Sequence, residues 1–174
     1  MRPSLITGIS VIVFQIQWWL CIFSGIYQHA QYAYWVAFAL FLINLLYQPI
    51  TRPMLLFFLI LFSCGVANDT LLMQLKVLGF SFQGALIPVW LMILWACFSA
   101  WFLHAQWLNQ RLIVILCLFS ICGTGSYYCA ARLHALTFLM PLNYSLMIIA
   151  LDWFFLGVLF FIIVRCRCIK RFLG

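Results

Sequence analysis

A chain of 174 residues that is 68% hydrophobic and 6% charged, with a mean hydropathy of +1.19, is too apolar for an ordinary water-soluble domain. Its formal charge of +7 would suit a nucleic acid, but four of the nine basic residues, Arg165, Arg167, Lys170 and Arg171, crowd the end of the last apolar run, as in a cytoplasmic anchor that touches anionic lipid. No polar stretch is long enough to bury a core of its own, so residues 1–174 read as a single integral membrane domain.

Six apolar runs approach the ~20 residues that a membrane helix needs. They fall at roughly 5–26, 32–46, 54–72, 85–103, 112–131 and 145–164, and the basic tail occupies 165–174. Met1-Arg2 ahead of the first run imitates a signal peptide, with Gln28-His29-Ala30 as a poor cleavage site. The run is too long and too rich in Gln and Trp for that role, so it is expected to be a retained first span. The second run is short and ends at Gln48-Pro49, where proline stops the helix, and Arg52-Pro53 prolongs the turn. Beyond the third run, Leu71, Leu72, Leu75 and Leu78 keep helical spacing among the polar Gln74, Lys76, Ser81 and Gln83. That segment is expected to lie along the interface as an amphipathic turn. Pro88 is expected in the first turn of the fourth helix, where a missing N–H costs little. Connections are brief, so neighbours should run antiparallel. No inverted internal repeat of the transporter kind is visible. The predicted fold is all-α and polytopic, with about six transmembrane helices in an antiparallel bundle.

With the N-terminus inside, Arg2, Arg52, Arg111 and the four tail residues face the cytoplasm, and only Lys76 and Arg132 lie outside. That asymmetry predicts cytoplasmic positions for both termini. Aromatic residues at run ends, among them Tyr27, Tyr32, Trp35, Trp101 and Tyr144, suit interfacial belts.

Cys21, Cys64, Cys97, Cys117, Cys122 and Cys129 fall inside apolar runs and read as small hydrophobes, while Cys166 and Cys168 in the basic tail read as thiols. There is no C-x-x-C pair, and His29, His104 and His134 belong to three separate loops. No G-x-S-x-G, Walker or dinucleotide pattern occurs, and Gly123-Thr124-Gly125-Ser126 inside an apolar helix reads as packing. No catalytic residue, metal ligand or cofactor is therefore assigned. Cys122, Ser126 and Ala130, spaced in fours, predict a small-residue stripe for close helix contact, as do Ala96 and Ala100.

The chain has only two acids, Asp69 and Asp152. A carboxylate at a membrane helix centre costs ~2.5–3.5 kcal/mol on insertion scales and less near the end, so each needs a reason. Asp69 closes the stretch Gly65-Val66-Ala67-Asn68-Asp69 at the outer end of the third helix, where exposure should make it cheap. Asp152 lies ~10 Å below the outer end of its own helix and should be the costlier acid. The bland reading is structural, with acids paired to Arg or Lys and glutamines bonded across helices. The sharper one is a cavity open to the outer side and lined by Gln15, Trp18, Asn68, Asp69, Trp90, Tyr127, Arg132 and Asp152, able to take a cation, a polar headgroup or a proton.

Several stretches together resemble a known family. They are Phe14-Gln15-x-x-Trp18 with Cys21, Gly65-x-x-x-Asp69, Pro88-x-Trp90-Leu91 with Leu94-Trp95-x-x-Phe98, Ser126-Tyr127 and Ala131-Arg132-Leu133. In order and spacing the chain is similar, over nearly its whole length, to the small bacterial inner-membrane proteins grouped as domain of unknown function 2878. The resemblance implies a multi-pass protein of the bacterial inner membrane and supplies no reaction. It also implies a glycine after Leu133, where this chain has His134, a residue poorly suited to a tight turn.

The expected function is binding of lipid or a small amphiphile in a pocket open to the periplasmic side, in support of an envelope process. The alternatives are a small proton- or ion-coupled transporter acting as a dimer, a lipid-modifying membrane enzyme that uses a carboxylate as base, and a scaffold subunit. The partners expected are membrane lipids and a homo- or hetero-oligomeric subunit, with no nucleic acid.

Overall fold

A computed structural model describes residues 3–27, 31–46, 51–81, 84–104 and 112–165. The helices are α1 (Pro3–Ile26), α2 (Gln31–Leu46), α3 (Arg52–Gln74), α4 (Val89–His104), α5 (Leu112–Cys117), α6 (Thr124–Arg132) and α7 (Leu142–Arg165). A π-helical segment, Leu118–Gly123, joins α5 to α6, so the two read as one run. Among the described residues, four stretches are long and apolar enough to cross a membrane: Gly8–Ile26, Met54–Gln74, Leu112–Arg132 and Leu142–Ile162. Tyr32–Ile43 and Val89–Leu103 are shorter apolar helices. Each of the six apolar runs thus contains helix, and four of them reach membrane length among the described residues. Large apolar side chains such as Ile12, Leu56, Ile113 and Phe155 stand more than half exposed, a surface that lipid rather than water would solvate.

Prolines and turn residues set the helix starts. Thr51 accepts the first bond of α3 from Leu55 N, and Pro53 occupies the first turn, where no donor is needed. The Pro88 carbonyl accepts from Leu91 N and Met92 N, so Pro88 stands just before α4 rather than inside it. Helix α4 consequently begins later than the apolar run that predicts it. Pro141 does the same for α7 by accepting from Ser145 N, and α7 begins at Leu142.

The ends of α3 and α6 depart from expectation. Helix α3 runs on to Gln74 and closes with Lys76 N donating to Met73 O and Val77 N to Leu72 O. Helix α6 closes with His134 N donating to Ala131 O and Ala135 N to Ala130 O. Both are Schellman turns, and Lys76 and His134 take the left-handed conformation, at φ 56° and 64°. The tight turn is made at His134 without a glycine. Residues 77–81 are not helical. Strand β1 (Leu78–Gly79) pairs antiparallel with β2 (Thr137–Phe138), and Leu139 N donates to Val77 O. The reversal at Lys76 turns Val77 and Leu78 into the interior, and the ladder satisfies backbone that the helix no longer can.

The chain forms two compact units. The first comprises Met1–Thr70 and Phe82–Ala105. In it α1 packs on α2 and α4, and α2 on α4. Phe41, Ala96, Cys97 and Ala100 form a core flanked by Phe14, Phe38, Phe58 and Phe62. Helix α3 joins through rings, Phe58 on Phe41 and Phe57 on Phe102. The second unit comprises Leu71–Ser81 and Gln106–Gly174. There α7 packs along α5, the π segment and α6, with Phe119 between the rings of Trp153 and Phe160.

Candidate functional site

Burial singles out one acid. Asp69 is 0% exposed, whereas Asp152 is only partly buried, the reverse of the order that depth along each helix predicts. The reason is lateral rather than vertical. Asp69 sits on the face of α3 that turns inward, one turn after Gly65, and that face is covered by Trp95 of α4.

The geometry is specific. Trp95 Nε1 donates to Asp69 Oδ2 at 2.6 Å. The same indole covers Gly65 so closely that a Cβ there would overlap its six-membered ring. Glycine lets the indole reach the helix, and the carboxylate four residues on receives its N–H. Thr70, beside Asp69, turns its hydroxyl back to Val66 O at 2.7 Å. An N–H donated to a carboxylate is among the stronger neutral-donor bonds, and enclosure strengthens it further.

Around this pair the first unit holds other buried polar groups. Gln17 is 1% exposed and donates from Nε2 to Ala37 O at 3.4 Å, and Cys97 Sγ approaches the same carbonyl at 3.8 Å. Ser99 returns its hydroxyl to Trp95 O at 2.8 Å. Of the two glutamines, Gln17 faces the interior and Gln15 is exposed. Trp90 is buried, but it packs on α1, its indole within 3 Å of where a Gly25 Cβ would stand. Trp18 and Asn68 are partly buried, and Trp18 meets Trp19 edge to face.

Tyr127, Arg132 and Asp152 belong to the second unit. Tyr127 is buried with its ring against Trp153, Arg132 is exposed, and Asp152 immediately precedes Trp153 on α7. The close approach here is made by Gly123, where a Cβ would fall 2.2 Å from Trp153, and not by a stripe of Cys122, Ser126 and Ala130, since Cys122 is exposed. The π segment leaves the hydroxyls of Ser120 and Thr124 buried without a hydrogen-bond partner, while Ser126 bonds Gly123 O at 2.7 Å.

The sequence singled out Asp69, in the stretch that opens at Gly65, and Trp95 was not among the candidate site residues. The available signal was the pairing of Gly65-x-x-x-Asp69 with a tryptophan one helix later, in the Leu94-Trp95-x-x-Phe98 stretch.

These features define a helical protein with membrane-length apolar segments and one enclosed carboxylate held by an indole. The chain belongs to the family described as Protein of unknown function (DUF2878), whose model matches residues 7–159. No curated protein and no solved structure matches it.

Proposed function

We propose that this is a six-span protein of the bacterial inner membrane, with both termini cytoplasmic, that binds lipid or a small amphiphile through a hydrogen-bond-donating or cationic headgroup taken up at Asp69. The observation that carries this reading is the enclosed Asp69 carboxylate with Trp95 Nε1 on one oxygen at 2.6 Å. An acid retained at no exposure in so apolar a chain is expensive unless it is used. The indole N–H occupies one of the acceptor sites that an ammonium or hydroxyl donor could take, so Trp95 is a group a ligand could displace. The pairing of β1 with β2 supports the topology, because it sets the ends of α3 and α6 on one side.

The experiment is lipid retention by the purified protein, read by native mass spectrometry, with phosphatidylethanolamine as the ammonium-bearing probe and phosphatidylglycerol as its counterpart without one. The expected result is preferential retention of the former, reduced at least ~10-fold by Asp69→Asn, which corresponds to about 1.4 kcal/mol. Equal retention of both lipids, unchanged in Asp69→Asn, would contradict the reading.

Full enclosure of Asp69 favours a second reading, proton-coupled transport, because an enclosed carboxylate is a natural proton carrier in a membrane. It predicts proton flux in proteoliposomes that Asp69→Asn abolishes while Asp152→Asn leaves it in place.

A further inference from the structure

The site at Asp69 has a counterpart at a fixed distance along the chain. Gly123 follows Gly65 by 58 positions, and Trp153 follows Trp95 by the same 58. Each glycine is covered by its own tryptophan so closely that a Cβ would overlap the indole, over the six-membered ring at Gly65 and over the five-membered ring at Gly123. The 58-residue register extends well beyond these four residues.

On α3 the buried positions Phe57, Leu61, Gly65 and Asp69 run in fours, and on the α5–α6 run their counterparts Ile115, Phe119, Gly123 and Tyr127 are buried in the same fours. The helix ends match bond for bond. Lys76 N to Met73 O corresponds to His134 N to Ala131 O, and Val77 N to Leu72 O corresponds to Ala135 N to Ala130 O. Lys76 and His134 are the two residues other than glycine at positive φ among those described. The strand ladder obeys the register too. Gly79 pairs with Thr137, its own counterpart, and Leu78 pairs with Phe138, whose counterparts are Leu136 and Phe80. Cys64, Leu75, Leu78, Phe80 and Phe102 recur unchanged as Cys122, Leu133, Leu136, Phe138 and Phe160. Identities alone carry little in so apolar a chain. The shared turns, ladder and glycine–tryptophan steps are independent of hydrophobicity.

We infer that residues 54–104 and 112–162 are two tandem copies of one two-helix unit, and that Tyr127–Trp153 stands at the place of the Asp69–Trp95 site, with a phenol ring edge to face on the indole where Asp69 accepts the indole N–H. This is a repeat in the same chain order, not the inverted kind. The first copy carries a carboxylate that accepts the N–H of its tryptophan, and that makes Trp95 the positioning residue of the pair. The second copy, with its neutral phenol, suits a hydrogen-bonding group rather than a cation. The inference is independent of which ligand, if any, Asp69 takes, and stands or falls separately from it.

Exchange of the two residues tests it. Both carboxylate side chains of the chain are aspartates, so carbon-13 aspartate labelling gives an infrared spectrum with few carboxyl bands. Tyr127→Asp is expected to add one band that shifts when Trp153→Phe is introduced and stays in place with Trp95→Phe, while the Asp69 band responds to Trp95→Phe alone. An added band indifferent to Trp153→Phe would overturn the equivalence. Should Tyr127→Asp fail to fold, Asp69→Tyr decides. A position built like that of Tyr127 accepts the ring, so its thermal midpoint is expected above that of Asp69→Met, and a midpoint at or below it would overturn the inference.

Discussion

At Gly65 and Asp69 the sequence signal and the chemistry coincide on one turn of helix. A Cβ at Gly65 would overlap the Trp95 ring. Gly65→Ala is therefore expected to displace the indole from Asp69 and to destabilise the protein by ~1–3 kcal/mol through overpacking, readable as a lower unfolding midpoint in detergent. Trp95→Phe keeps most of the ring and deletes the N–H to Oδ2, with an expected cost of ~1–3 kcal/mol for a buried acceptor that loses its donor. The opposite sign is expected at Ser120, whose buried hydroxyl has no partner. Ser120→Ala should be neutral or stabilising by up to ~1 kcal/mol in the same unfolding measurement. The depth expected from composition and helix parity misordered the two acids in burial. Which side of a helix a residue faces depends on the neighbour that covers it, and that neighbour, Trp95, is 26 residues from Asp69. Gln15 and Gln17 illustrate the same limit. They are two positions apart and nearly equal in depth, yet only Gln17 is enclosed.

At the scale of elements, apolar run length and proline placement located the described helices, because a long apolar run favours helix and prolines cannot continue it. The short strands were not legible. Two residues carry no alternation, and β1 exists only because its partner lies 58 residues on. The Schellman turns were also hidden, since their usual mark is a glycine and these use Lys76 and His134. Left-handed backbone costs a side chain of this kind ~1 kcal/mol or more. His134→Gly is accordingly expected to raise the unfolding midpoint, by roughly 1 kcal/mol less the added freedom of the unfolded chain. A lowered midpoint would show that the histidine side chain contributes more than its backbone strain removes.

For the molecule as a whole, the proposed topology puts the β1–β2 pair outside and the start of α3 inside. In a background whose native cysteines are replaced by alanine, Lys76→Cys and His134→Cys should react with an impermeant maleimide added to intact cells, and Thr51→Cys only after permeabilisation. Labelling of all three from outside would contradict the proposed orientation. The glycine–tryptophan step gives the account its centre, since one such step encloses the acid and the other repeats its build without one. The most direct test of that centre is a double-mutant cycle on Asp69→Ala and Trp95→Phe, measured by reversible unfolding in mixed micelles. An enclosed carboxylate held by an indole N–H predicts a coupling of ~1–3 kcal/mol between the two substitutions. Costs that add to within ~0.5 kcal/mol would show that Trp95 does not hold Asp69, and would contradict the account.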